Sequence, residues 1–283
     1  MSKTSTRVPT ASVLYDAPGP RARNRYRLFG VLSLLGVAGL LWYAFTALDD
    51  NGQFDPQLWD AFQYNTVQQW ILEGLLATLK AFGLAALFSL TLGSLLATGQ
   101  LSDHRPVRWL CVSFVQFFRA MPLLILIVAL YYAFFAKEPM WALVLGLTLY
   151  NGSVQAEIIR SGVNAVPRGQ AEAAYALGMR KTQVMAGILV PQAVRSMLPS
   201  MIGQLVVTLK DTSLGFIITY QELLFIGKKI ASQPLNAAGF PYIPVVLVIG
   251  PIYILLCLLL TALARWIEAR GRRGANRRTS AAA

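Results

Sequence analysis

The sequence has 283 residues, of which 55% are hydrophobic and only 13% are charged, and its formal net charge at pH 7 is +12. This composition is typical of an integral membrane protein and argues against a soluble protein of two domains. A basic chain can also bind nucleic acid, but the positions of the charges argue against that partner, as described below.

Six apolar stretches each approach the roughly 20 residues that a helix needs to cross the hydrocarbon core of a bilayer. They cover residues 28–48, 72–97, 113–135, 141–162, 201–226 and 245–263. Residues 1–27 are rich in Ser, Thr, Pro, Gly and Arg and are predicted to form a disordered, basic tail. The sequence therefore predicts an all-α fold, a polytopic membrane helical bundle with six transmembrane helices.

The Lys and Arg residues are distributed unevenly between the two sides that six spans define. Most lie in residues 1–27, in the loops after the second and fourth spans and in the basic tail at 266–283, whereas the opposite side carries Lys137, Lys228 and Lys229. Loops rich in Lys and Arg stay on the cytoplasmic side of a membrane. Both termini and the loop after the fourth span are therefore predicted to be cytoplasmic, in a multi-pass protein of the cell (plasma or inner) membrane.

Polar side chains interrupt the fourth span near its middle, at Asn151, Ser153 and Gln155. Polar groups inside a membrane are costly unless they bond to one another or line a water-filled path. Two interpretations stay open here, hydrogen bonds between helices and a path for a polar solute.

The long polar segment at 166–200 is predicted to form a helix, a tight elbow and a second helix outside the bilayer. Pro167 suits the first position of a helix, and Gly178 suits a left-handed residue that ends it. The second helix is predicted from about Thr182 until Pro191 forbids a further turn. Such a unit is typical of a docking element.

The fifth span carries a run of polar residues at Lys210, Asp211, Thr212 and Ser213. Neighbours in a helix do not face each other, so the two charges cannot pair simply as neighbours. Either each finds a partner on another helix as part of a buried ion pair, or a new half-helix begins at Leu214 and its N-terminus favours an anion such as a carboxylate. Residues 219–222 also have the spacing of a capping box.

Several short motifs follow one another along the chain. Within 166–200, Glu-Ala-Ala stands at 172–174, Leu-Gly at 177–178 and Leu-Val-Pro-Gln-Ala at 189–193. Their order and spacing resemble the EAA loop in the family of permease subunits of binding-protein-dependent ABC importers. Phe-Arg-Ala-Met-Pro-Leu-Leu at 118–124, Glu-Ile-Ile-Arg at 157–160 and Lys-Asp-Thr-Ser-Leu at 210–214 look like its polar-amino-acid branch, which serves histidine, glutamine, glutamate or arginine. Ala-Met at 120–121 departs from the usual Gly-Thr. The likeness covers a permease core at 72–265 and leaves the span at 28–48 as an extra N-terminal helix.

The resemblance implies a subunit that moves its substrate by alternating access, driven by separate ABC ATPase subunits. It also implies a second permease subunit, identical or related, an extracytoplasmic solute-binding protein and contact with membrane lipid. ATP would be bound by the ATPase partners, so no cofactor is expected on this chain. Members with a basic tail and an extra first span are most similar to glutamate systems. The residues implied in contact with the ATPase are Gln170, Glu172, Ala173, Ala174, Leu177 and Gly178.

Other classes of protein fit the sequence less well. It has no G-x-x-x-x-G-K-[S/T], H-E-x-x-H or G-x-S-x-G motif, so it is not expected to be an enzyme itself. A self-sufficient secondary transporter or channel for small polar solutes is the alternative. That class predicts ionisable residues in several spans, whereas here they are found mainly at 210–211 and at the span ends.

Overall fold

The computed structural model describes residues 19–234 and 239–280, and the predicted all-α membrane fold is confirmed. Ten α-helices are joined by short connections, two 3-10 helices and one π-helical turn within this part of the chain. The α-helices are α1 (Pro20–Asp50), α2 (Asn65–Gln100), α3 (Arg105–Ala120), α4 (Leu123–Phe134), α5 (Pro139–Asn164), α6 (Arg168–Ala176), α7 (Lys181–Val184), α8 (Val190–Asp211), α9 (Leu223–Ala231) and α10 (Tyr242–Ser280). The 3-10 helices cover Pro56–Gln63 and Thr212–Ile218, and the π-helical turn covers Met185–Leu189.

The chain divides into two compact units, one up to Phe54 and one from Asp55 onward. In the first unit, α1 is a 31-residue helix with Pro20 at its start, where a proline loses no helical hydrogen bond. Its apolar side chains are exposed on all sides, as in a helix surrounded by lipid. The predicted disorder is therefore wrong from Pro20 to Arg27, because the helix begins before the apolar stretch does; residues 1–18 lie outside the described residues.

In the second unit, α2 and α5 form the centre of the bundle because small residues let the two helices approach closely. Ala81 and Ala85 are fully buried in the same cluster as Leu143 and Leu147 of α5. At Gly93 of α2, an added Cβ would lie 2.7 Å from Cβ of Gln155, so a larger residue there would separate the helices.

The third predicted span is wrong as a single straight helix. Among the described residues, five helices are long and apolar enough to cross a membrane, and a sixth crossing requires α3 and α4 together, which meet at an angle of 99°. The bend lies at Met121 and Pro122, both of which have extended backbone angles. A residue before proline is driven away from the helical region, so the apolar stretch breaks there.

The fifth predicted span is also interrupted, and the half-helix predicted at Leu214 is wrong. Asp211 and Thr212 keep helical angles, and the chain continues as a 3-10 helix to Ile218. Thr219 then takes a left-handed conformation (φ 61°), and α9 begins at Leu223. An N-cap needs extended backbone angles, and Glu222 has them instead.

The prediction that the second helix of the segment at 166–200 ends before Pro191 is wrong. It passes through the π-helical turn Met185–Leu189, in which the N–H of Val190 donates to the carbonyl of Met185, five residues back. In a regular α-helix the Pro191 ring would meet the carbonyl of Gly187. The wider turn relieves that clash, so the helix continues as α8.

Candidate functional site

The elbow between α6 and α7 has the geometry that the sequence predicts. The N–H of Met179 donates to the carbonyl of Ala174, and the N–H of Gly178 donates to Tyr175. This pair of bonds is a Schellman motif, which requires a left-handed residue after the helix, and Gly178 has φ 77°. Pro167 lies one position earlier than predicted, at the N-cap rather than the first helical position.

The six residues predicted at the ATPase contact lie on α6 and its elbow, and five of them are exposed. Ala174 is buried, with 2% of its surface exposed, on a helix that packs against α7 and the π-helical turn. Leu177 is 83% exposed, an unusual position for a leucine next to a polar segment. The exposed five are Gln170, Glu172, Ala173, Leu177 and Gly178.

Lys181, the first residue of α7, connects this segment to the end of α2. Its ammonium donates a hydrogen bond of 3.0 Å to the carbonyl of Leu101 and another to the carboxylate of Asp103. The hydrogen bond from Lys181 holds the pKa of the Asp103 carboxyl below its usual value. Sequence reasoning missed this contact, because the partners are 78 and 80 residues apart.

The predicted polar residues of the fourth span divide into two groups. Asn151 and Gln155 are fully buried and bond to α8: the side chain of Gln204 donates to Asn151 (2.7 Å), and that of Gln155 donates to the carbonyl of Met201 (3.1 Å). Ser153 donates to the carbonyl of Leu149 in its own helix, so it does not join this cluster. The interpretation as hydrogen bonds between helices is therefore supported for two of the three.

This cluster between α5 and α8 is not fully satisfied. Among the described residues, Nδ2 of Asn151 and Oε1 of Gln155 have no hydrogen-bond partner of normal geometry. The Asn151 amide faces the carboxyl of Asp211, the last residue of α8. Buried polar atoms without partners are uncommon and mark places where water or another polar group fits.

The run from Lys210 to Ser213 points in several directions. Thr212 is buried and donates to the carbonyl of Leu209. Lys210 and Ser213 line a cavity of about 580 Å³ beside α10, while Asp211 faces Asn151. Within residues 19–234 and 239–280, Lys210 and Asp211 take part in none of the ion pairs, so neither has the charged partner on another helix that one of the two interpretations predicts.

A second charged cluster was not predicted as a site. The carboxylate of Glu157 in α5 accepts hydrogen bonds from Arg160, at the i+3 position. It also lies 3.7 Å from the guanidinium of Arg119 in α3. Arg119 and Glu157, but not Arg160, border a cavity of about 410 Å³ between α5 and α8 that also includes Ser161 and Ser196. The spacing of Glu157 and Arg160 on one helix was the available signal, but Arg119 comes from another helix.

Glu222 was also missed as a central residue. Its side chain is fully buried and accepts from the N–H groups of Leu224 and Phe225, both at 2.8 Å, so it caps α9. It also accepts from the hydroxyl of Tyr253 in α10 at 2.6 Å. The capping-box spacing at 219–222 indicated Thr219 as the N-cap and Glu222 as the residue that completes the box. Thr219 is instead left-handed, and Glu222 is itself the N-cap of α9.

The fold is that of a membrane-embedded transport permease. It matches a solved structure entitled "Crystal structure of an amino acid ABC transporter with histidines" with a TM-score of 0.65 and 28% identity, over 72% of this chain and 94% of the other. The profile of the family described as binding-protein-dependent transport system inner membrane component matches residues 89–273, and this chain belongs to that family. The resemblance found in the sequence is thereby confirmed.

Two relatives of this chain are permease proteins of amino-acid transport systems. The chain is 41% identical over 239 residues to the glutamate transport system permease protein GluD of Corynebacterium glutamicum, covering 82% of this chain and 86% of the relative. It is 32% identical over 204 residues to the arginine transport system permease protein ArtQ of Bacillus subtilis, covering 70% and 91%.

Proposed function

We propose that this chain is the membrane-spanning subunit of an ATP-driven importer of a polar amino acid, with glutamate as the first candidate substrate. The observation that carries this proposal is the 41% identity to a glutamate permease over 82% of the chain. The arginine permease, at 32% over 70% of the chain, supports polar amino acids as the substrate class.

The coupling surface in this proposal is the exposed side of α6 and its elbow. A nine-residue helix that ends in a fixed left-handed turn presents its exposed side, with Leu177 at the turn, to a partner. The proposed partners are two ATPase subunits on this face, a second permease subunit and an extracytoplasmic binding protein. ATP-driven movement of α6 would shift the helices between inward-facing and outward-facing states.

The proposed path for the substrate lies between α5, α8 and α10. The unpaired amide atoms of Asn151 and Gln155 are costly in a dry membrane and become useful where water or a polar solute enters. Lys210 lines the cavity of about 580 Å³ and its ammonium is suited to a carboxylate, whereas Arg119, at the cavity of about 410 Å³, already lies 3.7 Å from Glu157. An anionic amino acid fits such a set better than a cationic one.

The orientation in this proposal places both termini and α6 in the cytoplasm. The excess of Lys and Arg on that side supports it. Reporter fusions at Gly52, between α1 and the first 3-10 helix, and after Ala283 should lie on opposite sides of the membrane. Equal reporter signals from the two fusions would contradict this orientation.

The function is tested by reconstituting the chain with its ATPase, second permease and binding protein in vesicles, with ATP on the ATPase side. We expect uptake of labelled glutamate that requires ATP and the binding protein, and vesicles without this chain serve as the control. Uptake of arginine in place of glutamate would change the substrate and keep the class. Uptake driven by an ion gradient without the ATPase would overturn the proposal in favour of a secondary transporter.

A further inference from the structure

Lys181 connects the elbow segment, by which we mean α6, the Gly178 turn and α7, to α2 through polar contacts. It lies three residues after Gly178, and its ammonium reaches the carbonyl of Leu101 at 3.0 Å and the carboxylate of Asp103. These two acceptors belong to the connection between α2 and α3, about 80 residues earlier in the chain.

The bond to Leu101 matters more than the ion pair. Asp103 is 78% exposed and Lys181 is 38% exposed, and a surface ion pair of this kind contributes little by itself. Leu101, by contrast, is the C-cap residue of α2, whose N–H still bonds to Ala97. The last carbonyls of a helix lack partners within it and carry partial negative charge, so an ammonium is well placed there.

The helix that receives this bond extends through the whole core. α2 is a single helix of 36 residues, about 54 Å long at 1.5 Å per residue. Its packing against α5 includes close approaches at Gly93 and buried contacts at Ala81 and Ala85. A closely packed interior transmits displacement rather than absorbing it, so movement of the Leu101 end reaches α5.

The connection between α2 and α3 is itself held by local bonds. The N–H of His104 donates to the hydroxyl of Ser102, and the guanidinium of Arg108 donates to the carbonyl of Ser102. Lys181 therefore holds an ordered turn and not a loose loop.

We propose that Lys181 is a positioning residue for transport, which ties the elbow segment to the cytoplasmic end of α2 so that movement of α6 is delivered to the α2–α5 pair. The inference rests on the proposed function, because it requires that an ATPase moves α6. Movement of α6 would then reach the membrane helices by two routes, through the Lys181 contact to α2 and through the continuous helix of α7 and α8.

The test compares variants in the reconstituted transporter by the number of substrate molecules imported per ATP hydrolysed. Lys181→Met keeps the length of the side chain and removes its donors, and we expect this ratio to fall by about 5-fold or more. Lys181→Arg keeps a donor and should retain most of the ratio. Arg105→Met removes an exposed charge at the start of α3, outside the coupling surface, and should leave the ratio unchanged.

Asp103→Asn separates the two acceptors. It keeps the Leu101 bond, so we expect a smaller loss than for Lys181→Met, and combining the two should be no worse than Lys181→Met alone. If Lys181→Met fails to insert, Lys181→Gln provides the test, because its shorter polar side chain does not carry an ammonium to the Leu101 carbonyl, and we expect the same fall in the ratio. An unchanged ratio in Lys181→Met, or uptake and ATP hydrolysis that fall in proportion, would overturn the inference, since the second pattern is that of a merely structural residue. Failure of the proposed function is distinct, because the unmodified chain would then show no ATP-dependent uptake at all.

Discussion

Glu222 offers the sharpest test of how the broken fifth span is held, because one buried side chain joins three donors from two helices. Glu222→Ala removes the cap from Leu224 and Phe225, which costs about 0.5–2 kcal/mol for a typical N-cap. It also leaves the Tyr253 hydroxyl without its acceptor, which costs about 1–3 kcal/mol for a buried group. The predicted loss in the free energy of unfolding is therefore about 1.5–5 kcal/mol.

The measurement is unfolding of the purified subunit in mixed detergent micelles, followed by circular dichroism. Glu138→Ala is the matched control, because Glu138 is the N-cap residue of α5 but makes no side-chain cap bond. We expect that control to change the free energy of unfolding by no more than about 0.5 kcal/mol.

A double mutant identifies the mechanism. Tyr253→Phe removes the hydroxyl that Glu222→Ala would leave unpaired, so the two changes together should cost about 1–3 kcal/mol less than the sum of the single changes. Strict additivity, or a Glu222→Ala variant as stable as Glu138→Ala, would refute the reasoning.

Three further variants test other features. A Cβ added at Gly178 meets no atom within 4 Å, so the main cost of Gly178→Val is the backbone strain at φ 77°, about 1–2 kcal/mol, and we expect lost uptake with normal insertion. Gly52→Val, with similar strain at φ 67°, should retain uptake, and equal behaviour of the two would argue against the elbow. Asp211→Asn should assemble normally and change the affinity measured by uptake, and a Lys210→Met, Asp211→Asn double mutant more stable than either single would restore the ion-pair interpretation. Gln100→Leu replaces a buried carboxamide that has no hydrogen-bond partner among the described residues, so the free energy of unfolding should rise by about 1–3 kcal/mol. A fall in the free energy of unfolding would mean that the carboxamide is hydrogen-bonded.

Features that depend on neighbouring residues could be predicted from the sequence. Apolar stretches of membrane length gave the spanning helices, because a helix in lipid satisfies its own backbone. The elbow at Gly178 was equally local, since a left-handed turn after a helix strongly favours glycine. Asn151 and Gln155 were identified as polar residues inside an apolar stretch, and both face another helix.

Features set by tertiary contacts could not be predicted in the same way. The apolar average across 113–135 conceals Pro122, whose effect on Met121 bends the span by 99°. Gln204 and Tyr253 become important only through their partners on other helices. The rule that a proline ends a helix at Pro191 holds for a regular α-helix but not for one with a π-helical turn just before the proline.

That π-helical turn has a consequence for how the chain tolerates deletions. A turn closed by a bond from Val190 to Met185 contains one residue more than an α-helical turn. Removal of one residue from 185–189 would return this turn to the α-helical spacing, in which each N–H bonds to the carbonyl four residues back, and would leave the two parts of the helix nearly in phase. It would also bring the Pro191 ring back against the carbonyl four residues before it. We therefore expect the chain to accept a deletion at this turn only together with replacement of Pro191.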